Sequence, residues 1–356
     1  MKKIALLSCY SGVVDRGVET FVLEIGKRLG KDYDLTVFCP ETIASHGKFK
    51  IKKIKHGIAK PKSSKGILGK FYLDVQSLKI LIFTLWSLPQ LFRGKYDLVI
   101  PVNGGWQIAM VRIVTKLTGA KMLITGHAGI GSDDAWNLLW QPDIFIALTH
   151  AQAQWAKRLS NDIKVVQIPN GVDLHTFNPK VPAAKISLPK PIVICASALV
   201  PYKRIDLTIR AIAMAKNLSL LVIGDGELKG AVDSLGKRLL GPRYLRLVIP
   251  YDQMPGYYKA AKLFTLASQT EAFGIAYVEA MACNLPVVTT KDKSRIEIIG
   301  EAGVVVNTGN LNRYSKALSY VARSNFNNKP YAQALNFSWN KVATRYTQTI
   351  RNLLGQ

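Results

Sequence analysis

The chain has 356 residues, of which 48% are hydrophobic and 20% are charged. This size and composition exclude an intrinsically disordered protein and leave room for two hydrophobic cores. The charge is strongly basic, with 48 lysine and arginine residues against 23 aspartate and glutamate residues and a net charge of +25. A charge of this size attracts phosphate groups on nucleic acid, on nucleotides or on anionic lipid.

Four cysteines are scattered along the chain without a CxxC pair, at positions 9, 39, 195 and 283. This pattern argues against a disulfide framework or a zinc site and predicts buried thiols. The apolar run at the start ends at Ser8, which is too short for a signal peptide. The most hydrophobic stretch, 80–92, is shorter than the roughly 20 residues of a spanning helix. We therefore expect a cytoplasmic protein without a transmembrane anchor.

Short apolar runs alternate with helix-length amphipathic stretches along the chain. In the first half, the runs that predict strands are 4–7, 35–38, 98–102, 122–125, 145–148 and 165–168. In the second half they are 192–196, 220–223, 245–249, 264–267, 287–289 and 304–306. This alternation predicts parallel sheets that are covered by helices on both faces.

A cluster of prolines separates the two series of strands, at positions 179, 182, 189 and 191. Because proline fits neither a helix interior nor a central strand, the cluster predicts a linker. We predict an N-terminal domain over 1–183 and a C-terminal domain over 184–335. The final segment, 336–356, contains an amphipathic helix over 339–354 that we expect to cross back to the N-terminal domain.

Two glutamates flank a predicted helix start that follows the strand over 264–267. Glu271 precedes Gly274, where the backbone turns into the helix, and Glu279 lies about one turn inside it. The unpaired amides of a helix start bind anions such as a diphosphate. Carboxylates accept hydrogen bonds from sugar hydroxyls. Either glutamate alone would be explained by a capping acid or a solvated helix residue, but the combination predicts a nucleotide-sugar site.

This segment resembles the E-x7-E signature of the GT-B glycosyltransferases of family 4, a large retaining group. Asn284 stands where the family usually has glycine, and asparagine tolerates the left-handed conformation that ends a helix. The resemblance extends from Gly12 to the last helix. It implies an α/β protein with the GT-B fold, in which two Rossmann-like, doubly wound parallel-sheet domains face a central cleft. The other matching motifs are Ile168-Pro-Asn170-Gly171-Val-Asp173, Ile223-Gly-Asp-Gly226, Leu199-Val-Pro-Tyr-Lys203-Arg204 and Gly126-His127-Ala-Gly129.

For the donor loop, the resemblance implies that Glu271 contacts hydroxyls of the transferred sugar. The backbone amides of Phe273, Gly274 and Ile275 are expected to assist it. Glu279 is expected to hold the ribose hydroxyls.

Three further residues receive roles from the resemblance. Lys203 would neutralise the donor diphosphate, Gly17 would bring the N-terminal domain against the phosphate, and His127 would lie in the catalytic cleft near the sugar. Without the resemblance, Lys203 would be a surface lysine at a helix start and His127 a loop histidine bonded to the backbone.

The sequence departs from the family at one position of the phosphate clamp. The family usually has an arginine five residues before the lysine, and this chain has Ala198 there. Arg204, which follows the lysine, or Arg16 could supply the charge.

The resemblance implies a retaining hexosyltransferase that needs no cofactor and no metal ion. It would move a hexose, such as mannose or glucose, from a nucleoside-diphosphate sugar to a lipid-linked or polysaccharide acceptor. A nucleotide-sugar epimerase of the same fold would share the donor site. A nucleic-acid-binding protein would explain the charge but not the two glutamates, and the lysines lack interleaved aromatic residues. We expect no nucleic-acid partner.

Nine lysines and no acidic residue lie between Gly47 and Lys70. The pattern from Lys48 to Lys55 predicts a strand with a basic face, and an apolar amphipathic stretch over 67–92 follows it. Together they predict peripheral contact with an anionic membrane, between Lys48 and Lys70, at the inner face of the plasma membrane. A solvated basic strand is the alternative.

Overall fold

The computed structural model describes residues 1–13, 17–41, 47–54, 69 and 71–356. The chain divides into two compact units. The first comprises Met1–Asn170 and Trp339–Gln356, and the second comprises Gly171–Ser338. The predicted boundary at 183/184 therefore lies inside the second unit, which includes the proline-rich segment, while the helix at the end of the chain lies in the first unit.

The described part of the first unit contains a seven-stranded parallel sheet. Its order is β3-β2-β1-β4-β5-β6-β7, so the chain winds outwards from β1 in both directions, as in a doubly wound sheet. The strands are β1 (Lys3–Leu7), β2 (Asp34–Cys39), β3 (Lys50–Lys53), β4 (Leu98–Pro101), β5 (Lys121–Thr125), β6 (Ile144–Ala147) and β7 (Lys164–Gln167).

Helices cover both faces of this sheet. Ile4 and Leu6 of β1 belong to one core cluster, and Ala5 and Leu7 belong to another. Because neighbouring side chains of a strand point to opposite faces, the two clusters are the two sides of the sheet. The described helices are α1 (Gly17–Leu29), α2 (Val75–Gly94), α3 (Trp106–Thr118), α4 (Ser132–Leu139), α5 (His150–Leu159) and, at the end of the chain, α13 (Trp339–Leu354).

Helix α2 is longer than the apolar stretch that the sequence analysis identified over 80–92. The Asp74 side chain accepts hydrogen bonds from the backbone N–H groups of Gln76 and Ser77, so it caps the helix at its start. The expectation that this segment is too short to span a membrane is wrong on length, because the helix has 20 residues and accommodates Pro89. By length and composition alone α2 could cross a membrane, and 28% of its most apolar 18-residue stretch is buried inside the structure.

The second unit contains a six-stranded parallel sheet with the order β10-β9-β8-β11-β12-β13. Its strands are β8 (Ile192–Ala196), β9 (Ser219–Ile223), β10 (Tyr244–Leu247), β11 (Leu263–Leu266), β12 (Val287–Thr290) and β13 (Gly303–Val306). Its α-helices are α6 (Ile205–Met214), α7 (Lys229–Leu240), α8 (Met254–Ala260), α9 (Ile275–Ala282), α10 (Lys293–Ile299), α11 (Leu311–Arg323) and α12 (Lys329–Ala334). Short 3-10 helices cover Pro201–Lys203, Gly241–Arg243, Tyr251–Gln253, Gly300–Ala302 and Leu335–Phe337.

The predicted α/β class with two doubly wound parallel sheets is confirmed. The left-handed conformation expected of Asn284 is present, with φ of 60° directly after α9 and its C-cap residue. All four cysteines are buried free thiols, as predicted. The lysine-rich segment lies mostly outside the described residues, which include Lys48 and the lysines of β3.

Candidate active site

Glu271 and Lys203 form an ion pair in the second unit. Lys203 ends the 3-10 helix that follows β8, and Glu271 lies in the loop between β11 and α9. These strands are neighbours in the sheet, so the loops at their carboxyl ends meet, where ligands bind in such folds. Lys203 Nζ donates to Glu271 Oε1 at 2.5 Å, and their side chains are 14% and 11% exposed. The structure thus brings together the residues predicted to contact the diphosphate and the sugar.

The loop enters α9 through a glycine in the left-handed region. Gly274 has φ of 83°, and a β-carbon there would collide with the ring of Tyr277. Phe273 anchors the loop, since it is buried and its ring lies 5.6 Å from that of Phe337. Ile275 is the first residue of the helix, so the amides predicted to assist Glu271 stand at the helix start.

Glu279 lies in the second turn of α9 and is 5% exposed. Burial raises the pKa of its carboxyl group, although two tyrosine hydroxyls oppose this change by donating to it. The Tyr251 hydroxyl donates to Oε1 at 2.5 Å, and the Tyr258 hydroxyl donates to Oε2 at 3.1 Å. Sequence reasoning missed both tyrosines, because no local pattern connects them to a glutamate more than twenty residues later.

Arg204 is hydrogen-bonded to the loops of its own unit. Its backbone is left-handed, with φ of 49°. Its Nε atom donates to the carbonyl of Ala267, and its Nη2 atom donates to the hydroxyls of Thr290 and Thr308. A contact with the donor diphosphate would therefore use Nη1 or require these bonds to break. Ala198, where the family has arginine, is exposed.

His127 and Gly17 belong to the first unit. Gly17 is the first residue of α1 and is exposed. His127 follows β5, and its ring lies 4.6 Å from that of Phe21. Its Nε2 atom is buried and has no hydrogen-bond partner within the described part of the chain. Burial lowers the pKa of His127 to about 3, so the imidazole is neutral near pH 7. A neutral imidazole can either donate a hydrogen bond to a hydroxyl or accept one from it.

A buried carboxyl group holds the loop that carries His127. Asp134 Oδ2 accepts hydrogen bonds from the backbone N–H of Gly129 and from Gln152 Nε2, at 2.9 and 2.8 Å. Gln152 Nε2 also donates to the carbonyl of Gly126. Burial raises the pKa of Asp134 to about 7. This network, which the sequence analysis did not predict, fixes both ends of the short loop around the histidine.

A cavity of about 1210 Å³ opens in the first unit, lined by the residues that follow β4 and by α4. Three aromatic residues line it: Tyr72, Trp106 and Trp136. The Trp136 ring lies 5.2 Å from Tyr72 and 5.4 Å from Trp106. The Tyr72 hydroxyl donates to Asp133 at 2.9 Å. Among the described residues that line the cavity there is no lysine or arginine, which contrasts with the basic character of the chain.

The described residues contain no group of three or more His, Cys, Asp or Glu side chains placed to hold a metal ion.

Solved structures share the fold of the whole chain. The sucrose-phosphate synthase of Thermosynechococcus elongatus superposes with a TM-score of 0.79 at 20% identity, covering 100% of both chains. The Anabaena protein HepE, in complex with UDP and glucose, superposes with a TM-score of 0.77 at 18% identity, covering 99% of this chain and 100% of its own. This is the architecture of the GT-B glycosyltransferases.

Family comparisons agree with the fold. The family described as Glycosyltransferase Family 4 matches residues 16–176, and the family described as Glycosyl transferases group 1 matches residues 177–335. The chain therefore belongs to the GT-B glycosyltransferases of family 4.

Curated relatives match part of the chain. A GDP-mannose-dependent monoacylated alpha-(1-6)-phosphatidylinositol monomannoside mannosyltransferase of Corynebacterium glutamicum is 29% identical over 171 residues, or 42% of this chain and 45% of that protein. The O-antigen chain mannosyltransferase B of Escherichia coli is 32% identical over 108 residues, or 29% of this chain and 28% of that protein. These matches span less than half of each relative.

Proposed function

We propose that the protein transfers a hexose from a nucleoside-diphosphate sugar to a lipid-linked or polysaccharide acceptor, with retention at the anomeric carbon and without a metal ion. The ion pair of Glu271 and Lys203 beside the start of α9 carries this proposal. The carboxylate proposed to bind the sugar and the cation proposed to bind the phosphate are hydrogen-bonded to each other. This proximity supports the proposal, because the sugar and the diphosphate of a nucleotide sugar are directly linked.

The second unit supplies the groups that a donor needs. Lys203 and the amides at the start of α9 would stabilise the charge that develops on the departing nucleoside diphosphate. Glu271 would accept hydrogen bonds from hydroxyls of the transferred sugar, and Glu279 from those of the ribose. Several of the curated relatives are named as GDP-mannose-dependent enzymes, so GDP-mannose is the first donor to test.

The chemistry is the exchange of one bond at the anomeric carbon. The bond from this carbon to the diphosphate oxygen breaks, and the acceptor oxygen forms a new bond on the same face. The acceptor proton passes to the leaving phosphate oxygen, so no protein base is required. The neutral imidazole of His127 would bind a sugar hydroxyl. The products are a glycosylated acceptor and a nucleoside diphosphate.

The cavity of the first unit suits the acceptor sugar. Aromatic rings can pack against the apolar face of a sugar ring, while Asp133 and neighbouring polar groups accept hydrogen bonds from its hydroxyls. Because the lining includes the acidic residues Asp74 and Asp133, the cavity favours an uncharged sugar over a phosphorylated one.

Contact with an anionic membrane at the cytoplasmic face is supported by the surface of α2. Its exposed large apolar residues recur at helical spacing along one face, and this face lies opposite the buried one. The exposed residues are Val75, Leu78, Ile82, Leu85, Trp86 and Phe92. The exposed lysines of β3 add positive charge in the same unit.

Product analysis with labelled donors tests the transfer. GDP-mannose, UDP-glucose and related donors would be incubated with lipid-linked and polysaccharide acceptors. We expect a nucleoside diphosphate and a glycosylated acceptor of retained configuration, before and after chelation of metal ions. An isomerised nucleotide sugar would instead identify an epimerase. The Glu271→Ala variant should lose turnover and keep its circular dichroism spectrum, and unchanged activity would contradict the assigned role.

Vesicle sedimentation tests the membrane contact. The double variant Leu85→Ser, Trp86→Ser should bind vesicles containing phosphatidylglycerol at least about tenfold more weakly than wild type. Each of these side chains would contribute about 1.5–3 kcal/mol when it is buried in the membrane. Tyr320→Ser, which removes an exposed aromatic residue of the second unit, is the matched control. Equal binding to neutral and anionic vesicles would count against the proposed electrostatic contribution.

A further inference from the structure

The carboxylate of Glu279 already has a hydroxyl donor on each oxygen. Tyr251 donates to Oε1 and Tyr258 to Oε2. A buried carboxylate that lost such a donor would pay its full desolvation cost, so these bonds stabilise the structure. A ribose hydroxyl that binds Glu279 must therefore approach a carboxylate that already accepts hydrogen bonds from two tyrosine hydroxyls.

The two tyrosines differ in their exposure to solvent. Tyr258 is completely buried in α8, and its ring packs against Phe177 and Phe264. Tyr251 is 43% exposed and begins the 3-10 helix that follows β10, at the carboxyl edge of the sheet. Its ring contacts that of Phe177, with centroids 5.6 Å apart. Displacing Tyr258 would therefore open the core, whereas Tyr251 lies partly at the surface.

We propose that the Tyr251 hydroxyl occupies the position of a ribose hydroxyl on Glu279 and is displaced when a nucleoside diphosphate binds. The inference rests on the proposed donor site and adds to it a residue that sets nucleotide affinity. The exchange replaces one hydroxyl donor by another, so the carboxylate keeps a partner in both states. Part of the binding free energy of the ribose is consumed in breaking the bond from Tyr251.

The variant Tyr251→Phe tests the exchange, because it removes the hydroxyl and keeps the ring beside Phe177. We expect isothermal titration calorimetry to show UDP or GDP, whichever wild type prefers, binding about tenfold to 150-fold more tightly to the variant, since a bond to a charged group no longer has to be broken. The unliganded variant should melt at a lower temperature than wild type and gain more from the nucleotide. Tyr251→Leu provides a second hydroxyl-free variant if the phenylalanine variant does not fold.

Two controls make the result specific. Tyr258→Phe should not tighten binding, because that hydroxyl stays on Glu279 in both states. The 2′,3′-dideoxy form of the same nucleotide cannot replace Tyr251, so the preference for the natural nucleotide over this form should be larger in Tyr251→Phe than in wild type.

Equal or weaker nucleotide binding by Tyr251→Phe, or an unchanged preference over the dideoxy form, would overturn the inference while leaving the donor site intact. If wild type binds neither nucleotide, or if Glu279→Ala binds as wild type does, the proposed donor site itself fails. The two failures are therefore distinguishable.

Discussion

Replacing Glu271 by glutamine removes one charge from the ion pair with Lys203 and keeps the size of the side chain. The ammonium group lies 2.5 Å from this carboxylate, and both side chains are largely buried. A diphosphate that binds Lys203 must compete with it. We therefore expect Glu271→Gln to bind a nucleoside diphosphate without its sugar more tightly than wild type, although it should transfer sugar far more slowly.

The size of this gain follows from the bond that is weakened. Glutamine still accepts a hydrogen bond from the ammonium group, so the substitution removes only the attraction between opposite charges, which contributes up to about 1 kcal/mol near a protein surface. The difference of about 1 kcal/mol corresponds to roughly fivefold in the dissociation constant. Loss of a charged contact to the transferred sugar should lower kcat/KM by at least about tenfold.

Calorimetry with UDP and GDP measures the first effect, and initial rates with the full donor measure the second. Lys203→Met is the paired variant and should weaken nucleotide binding. Weaker nucleotide binding by Glu271→Gln would refute the reasoning, because it would mean that the carboxylate helps the diphosphate to bind instead of competing with it.

Three further predictions concern the remaining parts of the site. Since burial raises the pKa of Asp134 from 3.8 to about 7, its ionisation opposes folding, and this loss of stability develops as the pH rises from about 4 to 7. Chemical denaturation should show Asp134→Asn more stable than wild type at pH 8, by up to about 4 kcal/mol, and similar to it at pH 4; a difference independent of pH would contradict this. Gly274→Ala should lower the melting temperature and nucleotide affinity, because an L-residue at φ of 83° is strained and its β-carbon meets the Tyr277 ring, whereas the matched change Gly230→Ala, in open space on α7, should do neither. Trp136→Leu should raise the KM for the acceptor and leave the KM for the donor unchanged. A change confined to the donor KM would contradict the proposal that this cavity binds the acceptor.

Much of the fold could be predicted from the sequence because its signals are local. Buried strands such as Ile192–Ala196 are continuous apolar runs, and the final helix, Trp339–Leu354, shows a clear helical period. The glycine turn before α9 also follows from adjacent residues. Predicted ends differ by a residue or two elsewhere, since strand ends depend on pairing with neighbours.

The hydrogen-bond partners of the predicted site residues could not be predicted from local sequence signals. The sheet brings Tyr251 to Glu279, and it brings the hydroxyls of Thr290 and Thr308 to Arg204, from segments that are far apart in the chain. Arg204 shows the consequence. A charged residue next to a predicted phosphate ligand suggested a donor contact, and only the tertiary structure shows that two of its nitrogen atoms are already engaged.

The first unit is assembled from two distant parts of the chain. Trp339, Tyr346 and Ile350 of the last helix complete a core cluster that begins with Ile4 and Phe21. During synthesis, these residues emerge only after the whole second unit has been made. One side of the first sheet must therefore wait with its apolar surface uncovered, and residues 1–170 produced alone would expose that surface to aggregation. The unit that comes first in the sequence is the last one able to finish folding.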